Sequence, residues 1–275
     1  MKPMAFDYLR AESLEAALEA LQQGGEDARL LAGGQSLIAM LNLRLAGPAI
    51  LIDISRLEPL AYIREEGGMI EVGAAATQAE LLRRPGLSET LPLLAMALPH
   101  VGHYQTRNKG TVCGSIAHAD PSSELPLCLA VLGGEVVLRS ASGRRTLSAG
   151  EFQTGLLSTA RRADEIVTAV RFPGVDPGAG HAFTEMTRRH GDLAIVAVAV
   201  KASRQTLRIG IGGVADRPIV HELPVQTDSA LDDALNALAW ELDAMDDIHA
   251  TARYRRELVR RLGRRMVEEA LSWRN

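Results

Sequence analysis

The sequence is poor in cysteine and in long apolar runs, and each scarcity excludes a class of protein. Two cysteines, Cys113 and Cys128, cannot build a disulfide framework. They are also too few for an iron–sulfur cluster, which usually takes four ligands. The longest strongly apolar run, residues 194–200, is far too short to span a membrane. Residues 1–7 contain no apolar signal-peptide core, so we expect a cytoplasmic protein.

Net charge is also small. The formal net charge is −4 and the isoelectric point is about 6.0, so no overall charge attracts nucleic acid or an anionic membrane. Apolar residues make up 47% of the chain and charged residues 23%, which is typical of a globular protein. A chain of 275 residues is long enough for one large domain or two ordinary ones.

The beginning of the chain alternates predicted strands and helices. Strands are predicted at residues 6–9, 29–32 and 50–53, and helices at residues 14–24, after the cap Ser13, and 36–43. This β-α-β-α-β order is typical of a small parallel sheet.

Beyond residue 55 the pattern changes to hairpins and then to a third group of strands. The segment 173–180 holds two prolines and three glycines and is the best candidate for a linker. Two α+β domains that meet near residue 175 are therefore predicted. The remaining predicted elements are hairpins at residues 62–72 and 135–147, a strand at 165–172, helices at 77–82, 92–98, 229–240 and 251–271, and antiparallel strands at 182–187, 194–202 and 206–212.

A glycine pair follows the second predicted strand, in the segment Ala32-Gly33-Gly34-Gln35-Ser36. Adjacent glycines between a strand and a helix turn sharply and leave backbone N–H groups uncovered. The helix N-terminus adds partial positive charge, so a phosphate or diphosphate binds well there. A plain tight turn also explains a glycine pair, and this segment alone leaves both interpretations open.

A second segment, residues 111–124, joins a short β-branched run to small and polar residues. This segment predicts a loop with exposed N–H groups, several hydroxyl groups and one carboxylate. Hydrogen bonds to charged groups contribute about 1.5–3 kcal/mol each. The two segments together therefore predict a clamp on a large polar ligand such as a diphosphate. Neither contains the Gly-x-x-x-x-Gly-Lys-Ser/Thr pattern, so hydrolysis of a nucleoside triphosphate is disfavoured.

Other motifs favour structural interpretations. Residues 210–215 imitate the dinucleotide fingerprint Gly-x-Gly-x-x-Ala, but Asp216-Arg217-Pro218 does not open a helix, so a strand end and turn are predicted. His118 has no second ligand at metal spacing, which favours a residue packed against a ligand. The arginine-rich helix at residues 253–265 is either a solvated face or a protein–protein interface. No catalytic constellation and no metal site are predicted.

With both segments in place, the chain resembles the FAD-binding medium subunit of molybdenum hydroxylases, the family of xanthine dehydrogenase and aerobic carbon monoxide dehydrogenase. Residues 32–36 are similar to the family's first diphosphate loop and residues 107–115 to its second, which usually reads Arg-Asn-x-Gly-Thr-Ile/Val-Gly-Gly-Asn/Ser. The likeness continues through residues 119–124, 165–167, 188–192 and 254–256 and so covers essentially the whole chain.

The resemblance implies a vanillyl-alcohol-oxidase-type FAD-binding domain of two α/β subdomains, followed by a smaller C-terminal α+β domain with a three-stranded antiparallel sheet and helices. The implied boundaries are residues 1–174, with subdomains of about 1–55 and 56–174, and residues 178–275. Cys113 stands where the family has a glycine, and with no paired cysteine nearby we expect a packed thiol without a redox role.

The resemblance also implies the cofactor contacts. The FAD diphosphate is expected between residues 32–36 and 111–115, with Glu124 facing the adenosine ribose and Leu193 over the isoalloxazine. Val101, Ile166 and Val167 are expected as apolar contacts. The full set of expected FAD contacts is Leu31, Ala32, Gly33, Gly34, Gln35, Ser36, Leu37, Val101, Thr111, Val112, Gly114, Ser115, Ala117, His118, Ser123, Glu124, Ile166, Val167, Thr184 and Leu193.

The implied task is electron transfer within a larger enzyme. A large molybdopterin subunit oxidises the substrate, and a small subunit passes electrons through [2Fe–2S] clusters to FAD in this chain, which reduces a terminal acceptor. A dimer of heterotrimers is expected. Two alternatives are a stand-alone flavin-dependent oxidase, which needs its own acid and base, and a non-enzymatic nucleotide-binding module. The choice of substrate falls to a partner chain, so it cannot be predicted from this sequence.

Overall fold

The N-terminal part folds as the predicted β-α-β-α-β unit. The computed structural model describes residues 2–226 and 228–273. Strands pair in parallel in the order β1-β3-β2. The Ser13 hydroxyl accepts a hydrogen bond from the Ala16 N–H at 3.0 Å and so starts the first helix. The elements are β1 (Asp7–Arg10), α1 (Leu14–Gly24), β2 (Ala28–Leu31), α2 (Leu37–Asn42) and β3 (Ile50–Asp53).

A five-stranded antiparallel sheet and several short helices follow. The strand order is β4-β5-β10-β6-β7, so both predicted hairpins flank the long strand β10. The elements are β4 (Ile63–Glu66), β5 (Met69–Gly73), α3 (Gln78–Leu82), α4 (Leu87–Thr90), α5 (Pro92–Ala97), α6 (Tyr104–Lys109), α7 (Val112–His118), α8 (Glu124–Leu132), β6 (Glu135–Ser140), β7 (Gly143–Ser148), α9 (Ala149–Phe152), β8 (Gln153–Gly155), β9 (Ser158–Thr159) and β10 (Ile166–Pro173).

The C-terminal part contains a four-stranded antiparallel sheet and two long helices. The sheet order is β11-β12-β13-β14, so the predicted three-stranded sheet was one strand short. The missed strand β14 is a half-exposed edge strand that follows Pro218 and ends at Pro224, and it lacks the apolar run of its neighbours. The elements are β11 (Gly180–Met186), β12 (Val196–Ala202), β13 (Thr206–Gly212), β14 (Ile219–Pro224), α10 (Asp228–Glu241) and α11 (Ala252–Ser272).

The C-terminal sheet is buried on both faces, which explains the continuous apolar run of β12. Val196, Val198 and Val200 pack in a core with α10 and α11, whereas Ala197 and Ala199 pack in the core of the N-terminal part. On that second face the sheet contacts α5 and α8. The small alanine side chains therefore allow helices of one half of the chain to pack closely on the sheet of the other.

The segment after Thr111 is a helix rather than the predicted loop. Thr111 caps α7, because its Oγ1 accepts a hydrogen bond from the Gly114 N–H at 3.0 Å. Val112 and Ile116 are buried on one side of this helix. The small residues that suggested an irregular loop instead allow a short helix to pack closely on the core. Helices α6 and α8 were also not predicted.

Within residues 2–226 and 228–273, no helix is long and apolar enough to cross a membrane.

Candidate functional site

A cleft of about 910 Å³ collects most of the predicted cofactor contacts. Its walls come from residues 25–54, 74–78, 101–124, 157–167 and 191–193, so both halves of the chain contribute. All but three predicted contacts line it. The predicted contacts that line the cleft are Ala32, Gly33, Gly34, Gln35, Ser36, Leu37, Val101, Thr111, Gly114, Ser115, Ala117, His118, Ser123, Glu124, Ile166, Val167 and Leu193.

The other three predicted contacts lie away from the cleft wall. Leu31 ends strand β2, with its side chain near Gly34, and Val112 is fully buried in the core. Thr184 lies in β11, where its hydroxyl accepts a hydrogen bond from the Arg265 guanidinium at 2.8 Å. The resemblance alone placed these three residues at the cofactor, and none of them is among the residues that line the cleft.

The glycine pair brings the turn between β2 and α2 into contact with the turn between α6 and α7. A Cβ on Gly33 would lie 2.1 Å from the Lys109 carbonyl oxygen and 2.7 Å from the Gly110 Cα. Gly34 has a φ of 69°, a conformation that favours glycine. Both glycines are therefore required by the local backbone, and the two predicted segments are in direct contact.

Backbone hydrogen bonds fix the second segment. The Gln78 N–H donates to the Gly110 carbonyl oxygen at 2.9 Å, and the Val112 N–H donates to the Ala76 carbonyl oxygen at 3.2 Å. The side-chain oxygen Oε1 of Gln78 is buried and has no hydrogen-bond partner within the described part of the chain. Because Gln78 also lines the cleft, this oxygen is an acceptor that a bound ligand can satisfy.

Cys113 is packed in the way the sequence predicted. It is buried, and its Sγ lies 3.3 Å from the Val72 carbonyl oxygen, to which the thiol donates. Burial raises the pKa of the Cys113 thiol, so the thiol stays protonated at neutral pH. The residue that replaces a family glycine therefore lines the cleft, and its thiol packs against the backbone of β5.

Two arginines that the sequence analysis missed line the cleft. The Arg161 guanidinium donates to the carbonyl oxygens of Arg162 at 2.9 Å and Glu165 at 2.8 Å. Burial lowers the pKa of Arg161, and the positive charge of Arg29 lowers it further. Two cations facing one space favour an anionic ligand. Arg161 is separated from both glycine segments in sequence, and no local motif marks it.

Glu124 is the buried carboxyl group of the cleft. It starts α8 and is 6% exposed. Burial is the largest cause that raises its pKa to about 7, and the negative charges of Glu185 and Asp120 add to it, while His100 opposes them. Glu124 therefore exchanges a proton close to neutral pH.

The C-terminal part closes one end of the cleft through the loop between β11 and β12. Gly191, with a φ of 85°, packs on the ring of His103, where a Cβ would lie 2.5 Å from Cε1. Asp192 and Leu193 follow and line the cleft, and Leu193 is 59% exposed. This loop therefore places an exposed apolar side chain at the mouth of the cleft.

The fingerprint-like glycines at the end of β13 lie outside the cleft and serve packing. A Cβ on Gly210 would lie 2.3 Å from Val131 Cγ2, so the glycine allows α8 to approach the sheet. Gly213 has a φ of 78° and turns the chain after β13, as predicted. The Arg255 guanidinium donates to its carbonyl oxygen and to that of Ile195.

The arginine-rich helix α11 carries both buried and exposed arginines. Arg255 is buried, whereas Arg260 and Arg261 pair with Glu257, and Arg264 pairs with acidic groups on α10 and α11. Arg255 therefore belongs to the core, while the other three arginines pair with acidic side chains at the helix surface. Among the described residues, no group of three or more His, Cys, Asp or Glu side chains is placed to hold a metal ion.

Comparison with known proteins gives a consistent family assignment. A family model described as FAD binding domain in molybdopterin dehydrogenase matches residues 4–175, and one described as CO dehydrogenase flavoprotein C-terminal domain matches residues 181–270. The 6-hydroxypseudooxynicotine dehydrogenase complex subunit alpha of Paenarthrobacter nicotinovorans is 36% identical over 98% of this chain and 96% of its own length. The glyceraldehyde dehydrogenase medium chain of Sulfolobus acidocaldarius is 34% identical over 98% and 99%.

A solved structure shows the same fold. Carbon monoxide dehydrogenase from Hydrogenophaga pseudoflava, in a form that lacks the Mo-pyranopterin moiety of its cofactor, contains a chain that superposes with a TM-score of 0.92. The two chains are 32% identical, and the match covers 99% of each. The predicted mixed α+β fold is thereby confirmed, apart from the strand count. The chain therefore belongs to the family of FAD-binding medium subunits of molybdenum hydroxylases.

Proposed function

We propose that the chain holds one FAD noncovalently in the cleft, with the diphosphate between residues 32–36 and 111–115. The observation that carries this proposal is the direct contact of the two glycine-containing segments at Gly33 and Lys109-Gly110, on the wall of a single cleft. Residues that are distant in sequence thereby converge on one space. The cleft volume of about 910 Å³ falls within the range of about 300–1,000 Å³ that is usual for ligand pockets.

The residues present fit an anionic dinucleotide. Gly33 and Gly34 leave the backbone uncovered where a Cβ would intrude, and Oε1 of Gln78, which has no partner among the described residues, is left to accept a hydrogen bond from the ligand. The guanidinium groups of Arg29 and Arg161 supply positive charge. We assign hydrogen-bonding roles to the hydroxyl and N–H groups of the two segments. Leu31, Val112 and Thr184 are left out of this assignment, since their side chains do not reach the cleft wall.

The apolar contacts are assigned to a different part of the cleft. Ile166 and Val167 at the start of β10 are buried, and Val101 also lines the cleft. Leu193 approaches from the C-terminal part. We assign these four side chains to the flavin end, where they exclude water from the ring system. Glu124 and Ser123, at the start of α8, are assigned to the sugar hydroxyls.

The proposed role is electron transfer inside a complex. When bound, FAD supplies the redox chemistry that links a partner's iron–sulfur clusters to a terminal acceptor. A large molybdopterin subunit oxidises the substrate, a small subunit carries two [2Fe–2S] clusters, and two heterotrimers form a dimer. Relatives named for 6-hydroxypseudooxynicotine and glyceraldehyde share this chain's fold at similar identity, which supports a substrate site located in another subunit. The cytoplasmic location stays a prediction.

We also propose that residues 1–174 and 178–275 are separate domains, with subdomains of about 1–55 and 56–174. The two hydrophobic cores support this division, because the buried apolar residues of α10 and α11 share a core formed by residues of the C-terminal part.

The site assignment is tested by Gly34→Val. Valine at a φ of 69° strains the first segment and crowds Ile38 and Leu31, so flavin retention should be lost while the fold persists. Gly67→Val is a matched control, because Gly67 has a φ of 60° but open space around it in the hairpin between β4 and β5. Full flavin occupancy in the Gly34→Val protein, measured by absorbance between 350 and 500 nm, would show that the first segment is misassigned.

The role in a complex is tested by turnover. The isolated FAD-loaded chain should show no substrate-dependent flavin reduction, and addition of the subunits encoded next to its gene should restore it. Robust reduction by the single chain would support a stand-alone oxidase instead. Failure of the purified chain to take up flavin at all would support neither role.

A further inference from the structure

A second pocket, of about 270 Å³, lies between the start of α1 and one face of the five-stranded sheet. Strands β4, β5, β6, β7 and β10 all contribute to its lining, and among the described residues it shares no lining residue with the cleft. Its volume is below the range of about 300–1,000 Å³ that is usual for ligand pockets, so it suits a small ligand. We call it the sheet-face pocket. The polar side chains that line it are Tyr62, Arg64, Glu71, Arg139, Arg144 and Thr168.

Three guanidinium groups gather around one buried carboxylate in the wall of this pocket. Glu71 is 2% exposed, and its Oε1 accepts hydrogen bonds from the Tyr62 hydroxyl at 2.7 Å and from Nη2 of Arg64 at 2.8 Å. Its Oε2 accepts a hydrogen bond from Nε of Arg171 at 2.5 Å, and Nη2 of Arg144 lies 4.0 Å from the same oxygen. Three positive charges are therefore held within 4.0 Å of a single negative one.

Positive charge exceeds negative charge in the lining. Arg64, Arg139 and Arg144 line the pocket, whereas Glu71 is the one acidic lining residue among those described. Burial raises the pKa of Glu71, but the hydrogen bonds that it accepts and the nearby arginine charges outweigh burial, so the pKa lies below its ordinary value. The carboxylate therefore stays ionised and neutralises the charge of only one lining arginine.

The other acidic partners of the lining arginines are exposed. Glu66 lies 3.2 Å from Arg64, and its side chain is 62% exposed. Glu15 lies 3.2 Å from Arg139, and its side chain is 71% exposed. Exposed ion pairs of this kind are weak, so a bound anion can replace these glutamates. The Arg144 guanidinium donates no hydrogen bond to any described residue, so its donors are available to such an anion.

The rest of the lining is mostly apolar. The buried residues Leu60, Val137 and Ala169 line the pocket, and Leu14 and Pro59 keep exposed surface beside them. An inorganic anion would leave this exposed apolar surface in water, whereas an anion with an apolar body would cover it. The sheet-face pocket therefore combines hydrogen-bond donors for an anionic group with a surface for hydrocarbon.

We propose that the sheet-face pocket binds a small organic carboxylate, with the carboxylate group at Arg64 and Arg144 and the apolar body against Leu14 and Pro59. A planar guanidinium matches the two oxygens of a carboxylate, and two such groups orient the ligand. Because the pocket and the cleft share no lining residue among those described, the proposal does not rest on the FAD assignment.

The test titrates the purified full chain with sodium benzoate, in a low-salt buffer without other carboxylates or phosphate, and follows binding by ligand-observed NMR. Benzoate should bind with a dissociation constant on the order of 1 mM or below. Arg144→Gln should raise this constant by about tenfold or more, because a charged hydrogen-bond partner is lost. Arg64→Gln should weaken binding in the same way.

Arg217→Gln is the matched control, because it removes the same charge at an exposed position that lines neither the pocket nor the cleft. Thermal unfolding shows whether each variant is folded. The Arg144→Gln protein should be folded, since Arg144 donates no hydrogen bond within the described part of the chain. If it is not, Arg64→Gln decides in its place. Equal benzoate affinity of the wild type, the folded pocket variant and Arg217→Gln would overturn the proposal, as would no binding of benzoate up to about 10 mM.

Two further probes test the class of ligand. Benzyl alcohol has the apolar body without the charge, and inorganic phosphate has the charge without the apolar body. Each should bind at least about tenfold more weakly than benzoate. Binding of benzyl alcohol as tight as that of benzoate would overturn recognition by the arginines. Binding of phosphate as tight as that of benzoate would overturn the assignment of an apolar body to the ligand.

Discussion

Two glycine-containing segments of this chain look alike in sequence and differ entirely in their surroundings. Residues 32–36 follow β2, precede α2 and line the cleft. Residues 210–213 end β13, precede another strand and pack against α8 and the start of β12. In both segments a Cβ would collide with a neighbour, yet in the first it would collide beside an open cleft and in the second inside a core. A glycine therefore indicates that two parts of the chain lie close together. Only the element that follows, a helix after residues 32–36 and a strand after residues 210–213, indicates whether a ligand is also close.

The largest effect on stability is expected from Arg255→Gln, which removes the hydrogen bonds that hold residues 210–213. The Arg255 guanidinium donates to the carbonyl oxygens of Gly213 and Ile195 and pairs with Asp247. Loss of a buried hydrogen-bonded charge should lower the free energy of unfolding by about 3 kcal/mol. Chemical denaturation of the flavin-free chain measures this change. A loss of flavin with unchanged stability would contradict the structural role of residues 210–213.

A large effect of a different kind is expected from Gly33→Ala in the first segment. The added Cβ would lie 2.1 Å from the Lys109 carbonyl oxygen and must push the two cleft segments apart. The dissociation constant of FAD should rise by about 100-fold or more, which equals about 2.7 kcal/mol. Gly150→Ala is the control, because no atom lies within 4 Å of the added Cβ. Equal flavin affinity of the two variants would contradict the assignment of residues 32–36 to the cofactor site.

A smaller effect is expected from Gly210→Ala. The Cβ would lie 2.3 Å from Val131 Cγ2 and 2.8 Å from Leu127 Cδ1, so side chains of α8 must shift. Overpacking of this kind costs about 1–3 kcal/mol of unfolding free energy. Flavin affinity of the folded protein should change by less than about tenfold. A larger change in affinity than in stability would place this segment in the cofactor site after all.

The smallest effect is expected from Cys113→Gly, which restores the family glycine. The variant should keep FAD and its reduction by the partner complex. It should lose about 1 kcal/mol of stability, because a buried side chain and its contact with Val72 are removed. Thermal unfolding and flavin absorbance measure the two properties. A large loss of electron transfer with flavin still bound would indicate thiol chemistry at the cofactor.

Much of the architecture could be predicted because local signals agreed with it. Ser13 and the following apolar spacing specify α1, and the apolar runs at residues 50–53 and 194–202 specify buried strands. The strand β14 was missed because an edge strand needs no apolar run. The helix α7 was missed because its glycine and serine have weak helix propensity, and a threonine cap together with core packing overrides that propensity.

The site could be predicted only where it is local in sequence. Residues 32–36 and 111–118 carry recognisable patterns and line the cleft, apart from Val112 and Ile116, which are fully buried in the core. Arg161 could not be predicted, because its position depends on carbonyl oxygens of its own turn and on an approach to Arg29. The resemblance placed Thr184 at the cofactor, whereas in this structure Thr184 lies in β11 and its hydroxyl accepts a hydrogen bond from Arg265.

We propose that FAD occupies the cleft formed by residues 32–36 and α7, and that the glycine-containing residues 210–213 belong to the core. Hydrogen–deuterium exchange of the full chain with and without FAD tests this claim directly. We expect FAD to slow exchange at residues 32–37, 111–118 and 161–167 and to leave exchange at residues 206–213 unchanged. Slower exchange at residues 210–213, with no change at residues 32–37, would contradict it.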